Sequence, residues 1–175
     1  MTNAGSIEKI SVLDFIKGLP FFNEFSEEEK SNLINKEGVF EKYAEGEAIV
    51  KQGKIESWLF VILLGKVRLT KSLPEKVDEG RISLKKPVEI VIKELEIGSI
   101  FGEISLITKR PRNLSAIAAS PEVAVMKVTE EIFKSFDEST QMKFQQQLLL
   151  KLAENLDDMN TEWTKLKSAT LNKAT

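Results

Sequence analysis

The stretch Ile97–Ala118, IGSIFGEISLITKRPRNLSAIA, holds the side chains whose types and spacing suit chemistry rather than packing. Gly98 and Gly102 bracket Phe101, Glu103 follows at once, and an apolar run, Ile104–Ile107, leads to the basic turn Lys109-Arg110-Pro111-Arg112. Glycines let a backbone approach a ligand closely and adopt positive φ. A short helix over Glu103–Thr108 would leave its first N–H groups without intrahelical acceptors, free to face an anion. Arg112 supplies a planar, permanently charged fork matched to phosphate oxygens. Phosphate would repel the Glu103 carboxylate, so Glu103 needs another partner, and a sugar hydroxyl is the natural one. Phosphate and sugar held in one cradle imply a nucleotide.

These residues resemble the phosphate-binding cassette of cyclic nucleotide-binding domains, whose pattern runs F-G-E-[LI]-[AS]-L and then P-R-[AST]-A-[TS]. Here it reads Phe101-Gly102-Glu103-Ile104-Ser105-Leu106, then Pro111-Arg112-Asn113-Leu114-Ser115. The resemblance implies that Glu103 binds a ribose 2′-hydroxyl and Arg112 the cyclic phosphate of cAMP or cGMP. It implies a ligand-binding set of Phe101, Gly102, Glu103, Ile104, Ser105, Arg112, Asn113, Leu114 and Ser115. Two positions depart from the pattern. Asn113 stands where the family has Ala, Ser or Thr, and Leu114 where it has a small Ala. The extra isobutyl group of Leu114 either crowds the phosphate or points into the core, and the Asn113 amide can donate to the ligand.

Bulk properties remove several other functions. With 175 residues the chain suits one domain and an accessory element. A net charge of −2 with 30% charged residues makes a mixed surface, without the basic face that nucleic acid requires. No cysteine and no histidine occur, so thiolate and imidazole ligands, cysteine nucleophiles and the commonest general base are all missing. No metal, no cofactor beyond the nucleotide ligand, and no catalytic role is expected. The first residues have no signal-peptide profile, and no apolar run reaches about 18 residues. A soluble cytoplasmic protein is the expectation. There is no P-loop or EF-hand pattern, and Asp157-Asp158 reads as a solvated helix face.

The elements that must hold the cradle can be read in order. Ile7, Ile10, Leu13 and Ile16 recur at helical spacing, and Gly18-Leu19-Pro20 stops that helix. Ser26 and Glu29 form a capping-box pair at the start of a helix running to about Lys36 and burying Leu33 and Ile34. From Val39 the period changes. Short strands are expected over Phe40–Lys42, Ala48–Lys51, Leu59–Leu63, Val67–Lys71, Val88–Leu95, Ser115–Ala119 and Val123–Val128, with turn signals at Gly46, Gly53 and Gly65. Ser72–Pro87 reads as a long charged connection. Thr129 caps a helix that packs Ile132, Phe133 and Phe136 inward. A last helix from about Thr140 to Lys167 carries an apolar stripe of Phe144, Leu148, Leu152, Leu156, Met159, Trp163 and Leu166.

The expected fold is therefore mainly β with flanking helices: a jelly-roll (double-stranded β-helix) barrel, N-terminal helices and a long C-terminal helix. The expected division is 1–18, an N-terminal helix; 19–136, the cyclic nucleotide-binding-like domain; and 137–175, the C-terminal helix. As a sensor, the chain would bind a cyclic nucleotide and relay occupancy through that helix to a second copy or an effector protein. As a degenerate scaffold, it would keep the fold without the ligand. The residues after Asn155 are too few for a DNA-binding module of ordinary size, so no direct DNA contact is expected.

Overall fold

The computed structural model describes residues 9–73 and 88–171. The long connection expected over Ser72–Pro87 lies, from residue 74 onward, outside the described residues, as do the extreme termini. Eight strands form two four-stranded antiparallel sheets. One sheet has the order β1 (Phe40–Ala44), β8 (Glu122–Thr129), β3 (Trp58–Leu64), β6 (Ile100–Phe101). The other has β2 (Ala48–Val50), β7 (Ser115–Ala118), β4 (Val67–Leu73), β5 (Val88–Leu95). This is the expected jelly roll built as two facing sheets; hydrogen bonding does not close them into one continuous barrel among the described residues.

The run Trp58–Leu64 is apolar at every position, which suits a strand buried on both faces. Its two faces serve two cores. Phe60 and Ile62 point between the sheets, where they join Val123 and Val125 of β8, Val67 of β4 and Ala116 and Ala118 of β7. Leu59 and Val61 point the other way, joining Met126 and Val128 of β8 against a layer of helices. Three layers result: helices, the β1–β8–β3–β6 sheet, and the second sheet.

The helical layer follows from its caps and aromatics. Helix α1 (Lys9–Lys17) buries Val12 and Ile16, and Pro20–Phe22 forms a 3₁₀ turn that buries Phe21 and Phe22. Helix α2 (Glu27–Ile34) begins at the expected capping box: the Glu29 N–H donates to Ser26 Oγ at 3.1 Å, and the Ser26 N–H to Glu29 Oε2 at 2.6 Å. The six-residue α3 (Glu103–Thr108) and α4 (Glu130–Lys134) follow, the latter capped by Thr129 as expected. Helix α5 (Glu138–Leu171) is continuous over 34 residues. Phe144 sits at the centre of the helical layer, with its ring centroid 5.2 Å from that of Phe21, 6.1 Å from Phe25, 5.5 Å from Phe133 and 6.4 Å from Phe136. Glu29 also ties α2 to α5, accepting from Thr140 Oγ1 at 2.7 Å and from Lys143 Nζ at 2.9 Å.

The apolar stripe expected along α5 is packed at one end only. Phe144 and Leu148 are buried, whereas Leu156, Met159, Trp163 and Leu166 are exposed, as is the neighbouring Leu149. The reason is length rather than rotation: at about 100° per residue the mixed steps of three and four keep the row on one side of the helix, and Leu166 points the same way as Leu148, but at about 1.5 Å per residue it lies roughly 27 Å further along the axis.

Candidate functional site

Strand β6 sets the site's position. Phe101 pairs with Phe60 and Ile100 with Val61, and the Phe101 ring stacks on Phe60 with centroids 5.1 Å apart. The chain must then leave the sheet and start α3 within one residue. Gly102 does so at φ 86°. A Cβ at this position would lie 2.6 Å from Arg112 Nη1 and 3.1 Å from the Trp58 carbonyl, so both conformation and space require glycine. Helix α3 ends at Lys109, which takes a left-handed φ of 57°, and Lys109 Nζ pairs with Glu130 at 2.7 Å.

Arg112 is held at both ends. Its N–H donates to the Lys54 carbonyl at 2.8 Å, and its carbonyl accepts from the Gly53 N–H at 2.8 Å. Ser115 Oγ accepts from the Gln52 N–H at 3.0 Å, extending the same zip. The side chain is 4% exposed. Nη1 donates to the Gly102 carbonyl at 2.7 Å and Nη2 to the Trp58 carbonyl at 2.6 Å. Nε is buried with no acceptor in hydrogen-bond range, the Glu56 carboxylate standing 3.9 Å away. A buried donor left unmade costs about 1–3 kcal/mol. Burial pulls the Arg112 pKa down, while the Glu56 and Glu103 charges push it up; a guanidinium remains charged through such shifts.

Glu103 opens α3 and is also buried. Burial pushes its carboxyl pKa up, against the opposing pull of its own backbone N–H, the Lys151 and Arg112 charges and the Asn155 amide. Asn155 Nδ2 donates to Glu103 Oε1 at 3.4 Å. Helix α5 therefore crosses the site. Glu103 and Arg112 lie close enough to feel each other's charge, yet no direct ion pair joins them among the described residues.

The other expected site residues divide. Gly102, Glu103 and Arg112 come together around one backbone hinge, with the Ser115 hydroxyl tied to the neighbouring Gln52 turn. Ser105 is buried in α3, whereas Phe101 serves the core between the sheets. Ile104 and Asn113 are exposed and Leu114 is half-buried. Sequence reasoning missed Trp58, whose backbone carbonyl holds Arg112, and Glu56, Lys151 and Asn155, which have no local motif. A cavity of about 750 Å³ lies beside the site, between Leu19–Phe21, the turn Glu96–Ser99 and α5; Lys151 and Asn155 line it, but Glu103 and Arg112 do not. Among the described residues, no group of acidic side chains is arranged to hold a metal ion, and no helix is long and apolar enough to cross a membrane.

Comparison with known proteins places this geometry. The profile of the cyclic nucleotide-binding domain matches residues 40–139. The chain is 30% identical over 122 residues to the cGMP-dependent protein kinase, isozyme 1, of Drosophila melanogaster, a match covering 70% of this chain and 15% of the kinase. It thus spans under a fifth of the curated kinases it matches. Its fold is similar to the cAMP-bound regulatory domain of Toxoplasma gondii PKA, with a TM-score of 0.63 and 23% identity over 84% of this chain and 50% of that one. It is similar too to the regulatory subunit of a cAMP-independent protein kinase A from Trypanosoma cruzi bound to guanosine, with a TM-score of 0.64 and 19% identity over 90% of this chain and 49% of that one.

Proposed function

The chain belongs to the cyclic nucleotide-binding domain family, and from that premise we propose that the Ile97–Ala118 cradle binds cAMP or cGMP and that α5 reports its occupancy. The observation that carries this reading is the buried Arg112 Nε without an acceptor. A cyclic phosphate oxygen satisfies that donor and neutralises the buried charge, while the Gly102 and Trp58 carbonyls keep the fork aimed. Glu103 accepts the ribose 2′-hydroxyl. Ser115 Oγ already accepts from the Gln52 N–H, which leaves its own proton for the phosphate. Asn113, exposed next to Arg112, adds an amide at the rim. The domain acts by binding rather than by catalysis, in the cytoplasm, and its target is a protein rather than DNA.

The partner that best fits α5 is a second copy. Leu149, Leu156 and Trp163 recur every seven residues, with Leu152, Met159 and Leu166 between them, and all but the half-buried Leu152 are more than half exposed. This is the 3.5-residue repeat of a two-stranded coiled coil. In a parallel pair Glu162 of one helix faces Lys167 of the other, on both sides of the seam. An unidentified effector helix is the second reading for the same surface.

Titration calorimetry of the full chain with cAMP, cGMP and guanosine tests the ligand. Saturable binding of a cyclic nucleotide, with guanosine weaker for want of the phosphate, is the expected result. No heat or thermal shift at millimolar cyclic nucleotide would leave the alternative, a scaffold in which Leu114 blocks the phosphate. Solution mass with and without nucleotide tests the second copy.

A further inference from the structure

Asn155 lies 52 residues beyond Glu103 in sequence, yet it is the one side chain among the described residues that donates a hydrogen bond to the Glu103 carboxylate. Glu103 is 7% exposed, and a carboxylate so buried requires a donor. The bond is long, at 3.4 Å against the roughly 2.7–3.2 Å that N–H donors prefer, and its donor is neutral. It satisfies the carboxylate without holding it strongly.

Two further observations give this contact a role. First, Asn155 lines the 750 Å³ cavity while Glu103 does not, so Asn155 touches both the cavity and the carboxylate. Second, beyond Leu148 the other side-chain hydrogen bonds and ion pairs of α5 stay within the helix, among them Lys151–Glu154, Thr164–Asn160 and Thr170–Leu166. The Asn155–Glu103 bond is thus the one such tie from the distal part of α5 to the rest of the fold among the described residues.

We propose that Asn155 is a built-in stand-in for the ligand's hydroxyl: it caps Glu103 in the ligand-free chain, latches the middle of α5 to the cradle, and is displaced when a nucleotide delivers its ribose hydroxyl to the same carboxylate. This rests on the reading of Glu103 as the ribose-binding group. Asn155 is then a positioning residue with two effects. It lowers nucleotide affinity, because the ligand must first break the latch. It also converts occupancy of Glu103 into release of α5, because both cannot hold the same oxygen.

The test is Asn155→Ala in the full chain, followed by calorimetry with cAMP and cGMP and by hydrogen exchange of the α5 amides without ligand. The latch predicts roughly 3- to 10-fold tighter nucleotide binding, the worth of one net hydrogen bond. It also predicts faster exchange beyond Leu148 in the ligand-free variant, matching what nucleotide produces in the wild type. Wild-type binding with unchanged or weakened affinity in the variant overturns the latch and leaves the nucleotide reading standing. If neither protein binds nucleotide but exchange still rises in the variant, the latch contact stands and the nucleotide reading fails. If neither binding nor exchange responds, both are overturned.

Discussion

Helix α5 is one helix with two unlike halves. Up to Leu148 it is part of the core: Phe144 is enclosed by four phenylalanine rings, and Thr140 and Lys143 bond to Glu29. From Leu149 onward the helix is just as apolar but exposes that surface to solvent, with Asn155 as its tie to the fold. The first half holds because it buries area; the second is held by length and continuity. Isolated helices gain little from propensity alone and draw most of their stability from a packed face, so the second half is the part of the molecule whose position a ligand or partner can set. The break between the packed and the unpacked part falls within a single element, at Leu148–Leu149.

The largest test of that division is Phe144→Ala. Emptying the centre of the aromatic cluster removes a fully buried ring, and the expected loss is about 3–5 kcal/mol of unfolding free energy, measured by denaturant titration. A cost below 1 kcal/mol would mean that the first half is not anchored where the division puts it.

Arg112→Ala acts on the other side. It leaves a buried phosphate without its counter-ion, and nucleotide affinity should fall by about 2–5 kcal/mol. Binding at wild-type strength would remove Arg112 from the site. Because the guanidinium also bridges Gly102 and Trp58, the variant should unfold more easily as well, whereas ligand-free Arg112→Lys keeps the charge and loses the fork.

The double variant Leu156→Ala, Trp163→Ala should show the reverse of Phe144→Ala. Both side chains are exposed in the single chain, so the monomer's stability should stay within about 0.5 kcal/mol. A dimer seen by sedimentation in solution should disappear. Retained dimer mass would move the interface elsewhere, and the exposed strand β5, with Val88, Val91 and Ile92 at the sheet's edge, would be the next place to look.

How far this was legible in the sequence follows the same line. The strands around Trp58–Leu64 and Glu122–Thr129, the capping box at Ser26 and the α3 start at Gly102 all follow local rules that act within a few residues, and the structure has them where expected. Glu103 and Arg112 are legible as candidates because a glycine hinge, a carboxylate and a basic turn sit close in sequence. Strand β6 escaped notice because two residues carry no periodicity. The second layer of the site escaped for a different reason. Trp58 contributes a backbone carbonyl, which no side-chain pattern announces, and Asn155 reaches Glu103 only through the fold. The α5 stripe is legible as a row, but which of its residues are buried is not, because that depends on how far the rest of the fold reaches along the helix.

The smallest expected effect separates two acidic residues, Glu130 and Glu103. Lys109 and Lys134 hold the half-buried Glu130 carboxyl at a pKa of about 2, below its ordinary 4.5, through hydrogen bonds and charge. A carboxylate with a depressed folded pKa contributes stability that is present above the unfolded value and is lost as pH falls from about 4.5 towards 2. Glu103 has the opposite sign: burial raises its folded pKa, so its ionisation weakens the ligand-free fold as pH rises above the unfolded value. Glu130→Gln should therefore lower the thermal midpoint modestly at pH 6, with the difference closing as the pH falls through that window and shrinking in high salt, as for exposed pairs generally. Ligand-free Glu103→Gln should raise the midpoint at pH 6 and lose its advantage in acid. Midpoints that move the same way with pH in both variants would show that Glu103 is not paying a desolvation cost in the ligand-free state, and that the cradle at the border of the two halves is already relaxed before the nucleotide arrives.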